Sequence, residues 1–354
     1  MSDCSDSISL DMVTMPWAGQ GQMIQTCHGP LFVTVCGDQE KPALITYPDL
    51  ALDCASCYQG LFSCPQASSL LFRNFCVYHI DPPGHEIGAA VILSEQPTLS
   101  VQDLAEQVED VCKFFGLHEV ICLGVTAGAY ILTLFALKNK ERVQGLILVS
   151  PLCRSPSWTE WLYNKALVNL LYFWGMCNFV KETLLQRYFS QEINESKVTE
   201  SHIVPSFSRV LDQRRSRNVM RFLQAIHERQ DLTAELKNLR CRTLIFVGEQ
   251  SPFYDEAIYI NSAMDRRFNA LVEVQACGSL VTEEQPHSML VPIEYFLMGY
   301  EFYKPLHLFC QSSTPTSPLS PPCVSPELLS PESLGLKLKP IKTRVSLDEY
   351  SMEE

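Results

Sequence analysis

A chain of 354 residues, 46 % apolar and 19 % charged, is long enough for one enzyme-sized domain with a tail, or two small domains, and too apolar to be disordered throughout. A formal charge of −13 argues against duplex nucleic acid as a partner, because a phosphate backbone selects basic surfaces. The start, Met1-Ser2-Asp3-Cys4-Ser5-Asp6, has no basic or apolar leader and no glycine for N-myristoylation, so the 15 cysteines read as small core residues of a cytoplasmic protein, not a disulfide frame.

Residues 31–36, 43–46 and 75–80 are short apolar runs with the character of strands. Cys54-Ala55-Ser56-Cys57 lacks a second pair at zinc spacing and the centre of a thioredoxin-like site, so neither metal nor cofactor is expected. Ser100 and Asp103 form an expected helix N-cap box, with Leu104, Val108, Val111, Cys112 and Phe115 following at helical spacing. Residues 119–125 are a strand, 129–137 a helix apolar almost all round, and 146–151 the next strand. Between 152 and 238 the pattern turns to helices rich in Trp, Tyr, Leu and Arg, a helical cap. Its most apolar stretch, 161–180, holds Asn164, Lys165, Asn169 and Asn178, so it reads as a buried or lid helix and not a membrane span. Strands at 243–248 and 271–274 complete an alternation that predicts a mostly parallel sheet with helices on both faces. The expected organisation is a flexible arm at 1–22, a domain at 23–308, and a disordered Ser/Pro-rich tail at 309–354.

The turn between the strand at 119–125 and its helix reads Gly124-Val125-Thr126-Ala127-Gly128. It matches the G-x-S-x-G elbow of α/β-hydrolases, with threonine where the nucleophilic serine would stand. A β-branched residue is disfavoured at a strained elbow, so Thr126 is expected in a relaxed backbone, as a turn without chemistry. The acid station, after Gly248-Glu249-Gln250, holds Ser251, and the histidine station, after Cys277-Gly278, holds Ser279. Neither serine can take a proton from a hydroxyl at neutral pH. At the oxyanion station Pro48 lacks a backbone N–H and Asp49 brings negative charge. The fold class expected is therefore an α/β-hydrolase fold with a helical cap, catalytically degenerate. Asp255 and His287 near the two stations are the displaced partners a rescue by Thr126 would need; the competing reading of His287 is a surface histidine.

Two surface features stand apart from that site. Arg214, Arg217 and Arg221 recur at spacings of three and four, so they are expected on one helical face, as a docking patch for an acidic partner or a solvated face pairing with Asp212 and Glu228. In the tail Thr314, Ser317, Ser320, Ser325 and Ser330 each precede proline and are candidate phosphosites, with Lys337, Lys339, Lys342 and Arg344 as nearest counter-charges.

The elbow run ending Ala127-Gly128-Ala129-Tyr130-Ile131-Leu132, with His79-Ile80-Asp81-Pro82-Pro83-Gly84 and Gly248-Glu249-Gln250-Ser251-Pro252, resembles the N-myc downstream-regulated family over about residues 20–305. Thr126, Pro48 and the tail segments at 329–333 and 336–340 are similar to its plant branch. The resemblance implies a cytoplasmic, non-enzymatic signalling adaptor that binds the βγ subunits of heterotrimeric G proteins and modulates auxin transport and root branching. Two other readings stay open: a non-catalytic small-molecule receptor using the vestigial pocket, and a cryptic hydrolase with Thr126 as nucleophile.

Overall fold

The computed structural model describes residues 19–305 except 94, 192 and 194–202, together with the pair 336–337. Its sheet has nine strands: β1 (Gln20–Thr26), β2 (Gly29–Cys36), β3 (Ala43–Tyr47), β4 (Cys76–Ile80), β5 (Val120–Val125), β6 (Val143–Val149), β7 (Arg242–Gly248), β8 (Asn269–Val274) and β9 (Leu336–Lys337), in the spatial order β1-β2-β4-β3-β5-β6-β7-β8-β9. The six from β4 to β8 run parallel, while β1, β2 and β9 pair antiparallel at the edges. Every residue of β3, β4 and β5 is buried, the signature of strands covered on both faces.

Helices α1 (Cys54–Ser63), α2 (Pro65–Asn74), α3 (Val101–Phe114) and α4 (Ala127–Lys138) follow β3, β4 and β5. The Ser100 box forms as expected: Ser100 Oγ accepts the Asp103 N–H at 3.2 Å and Asp103 Oδ2 accepts the Ser100 N–H at 2.8 Å. All of α4 except Lys138 is buried, as its unbroken apolar sequence requires. The cap comprises α5 (Trp158–Phe173), α6 (Asn178–Tyr188), α7 (Ile203–Gln213), α8 (Ser216–His227) and the single turn α9 (Thr233–Leu236), after which α10 (Tyr254–Ala263), α11 (Val281–Glu284) and α12 (His287–Leu297) close the domain. α5 is a lid, not a buried helix, because only Asn164, Leu167 and Leu171 of it are buried. Among the described residues no helix is long and apolar enough to cross a membrane.

Two expected boundaries are corrected. β1 begins at Gln20, inside the arm expected at 1–22, because the polar run QGQMIQT pairs through its backbone with β2 and needs few apolar side chains. Within the tail expected to be disordered, Leu336 and Lys337 pair with Val274 and Glu273 and extend the sheet at its open edge. The candidate phosphosites Thr314, Ser317, Ser320, Ser325 and Ser330 lie outside the described residues.

Candidate functional site

β5 ends against the buried helix α4 through Thr126, which has φ 44° and ψ −96°. The expectation of a relaxed backbone there is wrong. The Thr126 N–H is tied to the Val149 carbonyl at 2.8 Å, and α4 is held so close to β3 that a Cβ at Gly128 would drive into the Tyr47 carbonyl oxygen. The geometry is set by those neighbours, so the residue inherits a strained conformation whatever its side chain. Thr126 has no exposed surface, and its Oγ1 has no hydrogen-bond partner among the described residues.

The loop after β3 brings Asp49 onto the start of α4, where Asp49 Oδ1 accepts the Ala127 N–H at 3.1 Å. In a working elbow that N–H, from the residue after the nucleophile, belongs to the oxyanion hole. Arg187 of α6 forks onto the same carboxylate, Nε to Oδ2 at 2.9 Å and Nη2 to Oδ1 at 2.9 Å. Its guanidinium also lies over the Phe253 ring, 4.5 Å from the centroid. Arg187 was not singled out in the sequence; the one available signal was that an apolar strand leading into Asp49 buries a carboxylate in need of a cation.

The acid and histidine stations meet at the ends of β7 and β8. Ser251 Oγ and Ser279 Oγ are 2.9 Å apart; Ser150 Oγ donates to the Ser279 carbonyl at 3.1 Å, and the Phe253 N–H donates to Ser251 Oγ at 3.2 Å. At Gly248 a side chain would collide with the Gly278 carbonyl, so the two turns are packed backbone to backbone. This is a closed hydroxyl network without a base. The rescue partners are not brought together: His287 is exposed at the start of α12 with Nδ1 3.4 Å from Cys64 Sγ, and Asp255 is exposed on α10. Among the described residues no hydrogen bond or ion pair joins either of them to Thr126.

A cavity of about 730 Å³ lies between the cap and the sheet, with Leu50, Leu152, Leu184, Arg187 and Phe253 in its wall. Thr126 is not part of that wall, whereas Arg187, which holds Asp49, is. The arginine patch is corrected. Arg214 falls in the break between α7 and α8, so the three residues do not share one helical face. Arg214 pairs with buried Asp53 at 2.8 Å and is itself only 7 % exposed. Arg221 donates to the Gln96 carbonyl at 2.8 Å and to that of Pro97, while Arg217 is exposed. Cys54 and Cys57 are both buried on α1, where burial pushes their thiols well above the ordinary range. Cys27, His28 and Glu106 bring three possible ligand atoms within 4.8 Å of one another, but on the β1–β2 turn and α3, away from the elbow, and the His28–Glu106 contact at 2.9 Å serves equally as an ion pair.

Comparison with known proteins fits this picture of a hydrolase frame with altered stations. The Ndr family profile matches residues 21–304. The chain is 60 % identical to Protein NDL1 of Arabidopsis thaliana, covering 98 % of this chain and 99 % of that protein, and 54 % identical to Pollen-specific protein SF21 of Helianthus annuus, covering 98 % of each. It is 31 % identical to Protein NDRG2 of Danio rerio over 79 % of this chain and 74 % of that one. Among solved structures, an esterase from Thermogutta terrifontis aligns with a TM-score of 0.68 at 18 % identity, covering 80 % of this chain and all (100 %) of the esterase. An enol-lactonase from Burkholderia xenovorans aligns at 0.65 and 16 %, covering 78 % of this chain and 100 % of the lactonase. At those identities the structures establish the fold alone, which is that of the α/β-hydrolases. The chain itself belongs to the Ndr family.

Proposed function

We propose that this protein is a non-enzymatic signalling adaptor of the cytoplasm that binds G-protein βγ subunits and modulates auxin transport and lateral root development. The observation that supports the non-enzymatic half is the Asp49 carboxylate on the Ala127 N–H, clamped by Arg187. An anion already occupies the donor that acyl transfer needs, and the stations that would supply base and orienter are hydroxyls. The partner half rests on the family to which the chain belongs, and on its likeness to plant relatives over nearly its whole length.

One experiment addresses both halves. Purified chain, a form ending at Cys310 and an Arg217→Glu variant are used to capture βγ subunits from plant extract, and each is assayed on short-chain esters beside Thr126→Ala. The adaptor reading expects βγ capture by the full chain and ester turnover no greater than that of Thr126→Ala. Absence of βγ from the captured material defeats the partner assignment, and Thr126-dependent turnover defeats the non-enzymatic one.

A further inference from the structure

The cleft beneath the cap carries polar groups that the protein itself leaves open. Asn164, the one buried polar residue on α5, lines it, is 5 % exposed, and has no hydrogen-bond partner among the described residues. Facing the cavity, its carboxamide presents two donors and an acceptor to an occupant. The cavity, about 730 Å³, falls in the size range of small-ligand sites, and Leu50, Leu152, Leu167, Leu184 and Phe253 give it an apolar lining.

The charges in the wall are unevenly committed. Both cations are already neutralised, Arg154 by Glu256 at 2.8 Å and Arg187 by Asp49 at 2.9 Å. Glu160 is taken by Arg229 at 2.8 Å. Asp231 and Asp255 also line the cavity and have no ion-pair partner among the described residues, although Asp231 Oδ1 accepts the Thr233 N–H. A carboxylate ligand would find no uncommitted cation and two repelling charges, while an ammonium finds two carboxylates.

We propose that the cleft under the cap binds a small organic amine, its apolar body on the leucines and Phe253, its ammonium between Asp231 and Asp255, and a polar group on the Asn164 carboxamide. The site goes beyond the adaptor reading and does not depend on it. Thr126 and the serine stations take no part.

The test uses three probes of one skeleton, 3-phenylpropylamine, 3-phenylpropan-1-ol and 3-phenylpropanoate, titrated into the full chain by calorimetry with saturation-transfer NMR. The amine is expected to saturate and to bind at least about tenfold more tightly than the carboxylate, the scale of preference set by two solvated carboxylates in the wall. The double change Asp231→Asn and Asp255→Asn removes that preference, keeping the acceptor for Thr233. Asn164→Leu weakens the amine and the alcohol alike; if that variant does not melt as a folded protein, Asn164→Ser is read instead. Saturation by none of the three, equal or tighter binding of the carboxylate, or amine binding indifferent to all of these changes overturns the proposal. βγ capture by the same variants is measured in parallel, so that loss of the ligand site and loss of the partner are told apart.

Discussion

The Asp49 carboxylate and the Ala127 N–H, 3.1 Å apart, stand in the relation that a hydrolase reserves for its oxyanion and oxyanion hole. Here the anion is covalently part of the protein and Arg187 locks it in place. Asp49 is fully buried and Arg187 is 17 % exposed, so removing either partner strands a charge. Asp49→Ala is expected to lower unfolding free energy by about 3–5 kcal/mol. Asp49→Ala with Arg187→Leu should cost clearly less than the sum of the singles, because the double change leaves no orphan charge. Urea denaturation of the four proteins measures both.

The same relation limits any attempt to build a hydrolase triad here. Thr126→Ser, Ser251→Asp and Ser279→His together rebuild the three side-chain stations but leave the Ala127 N–H occupied. Ester turnover by this triple variant is expected to stay at background. Adding Asp49→Asn removes the internal anion and leaves only a neutral acceptor, and a rise of about 10²-fold or more is the scale set by a single oxyanion donor. Turnover by the triple variant alone would mean that Asp49 does not block the site.

Strain at the elbow makes a separate prediction. Thr126 holds φ 44° and ψ −96° without a partner for its hydroxyl. Thr126→Gly relieves about 1–3 kcal/mol of backbone strain and adds about 0.5–1 kcal/mol of chain entropy, so a net gain of about 1 kcal/mol is expected. Thr126→Ala keeps the strain and should fall below Thr126→Gly in thermal stability. The reverse order would mean that the surrounding packing relaxes the turn.

Arg214 and Arg217 should respond in opposite ways although three residues apart. Arg214→Ala breaks the buried pair with Asp53 and is expected to cost about 3–5 kcal/mol. Arg217 is exposed, and Arg217→Glu should change stability by less than about 1 kcal/mol. A loss of any binding activity in Arg214 variants therefore reports unfolding unless their melting curves are intact.

The two arginines also mark what could be read from the sequence. Ser251 and Ser279 can be placed from the sequence because strand, glycine turn and helix recur in a fixed order, while the 2.9 Å between their hydroxyls comes from the close packing of the turns at Gly248 and Gly278. The negative charge of Asp49 at the oxyanion station is legible in the sequence, whereas its hydrogen bond from the Ala127 N–H emerges only from the fold. Arg187 is not legible, because it arrives from a cap helix 138 residues away along the chain and no spacing links it to Asp49. Arg214 was misplaced because the i, i+3, i+7 pattern runs through a helix break at 214–215 that no glycine or proline announces. The strand at 336–337 was hidden by proline-rich composition, and is made by backbone pairing to an open sheet edge.

Buried titratable groups near α1 predict an acid sensitivity whose sign can be worked out group by group. Burial lowers the His79 imidazole to about 3, and burial with the nearby Arg214 charge lowers His85 to about 4. Both are neutral in the folded state, so between about pH 6.5 and 4 the unfolded chain binds more protons, and stability present above that window is lost as pH falls. Asp81 acts in the opposite sense. Burial, then the Asp53 charge, raises its carboxyl to about 7, so the folded state keeps a proton that the unfolded chain has lost above its ordinary value near 3.8. That contribution favours folding at low pH and fades as pH rises towards 7. Each group changes the slope of stability against pH by about 1.4 kcal/mol per unit where its two states differ by one proton. Relative to the parent chain, His79→Gln should therefore flatten the loss of stability between pH 6 and 4.5 by about that slope, and Asp81→Asn should steepen it by the same amount. Urea midpoints at half-unit pH steps decide it: parallel profiles for all three proteins would mean that these buried groups do not set the acid limit.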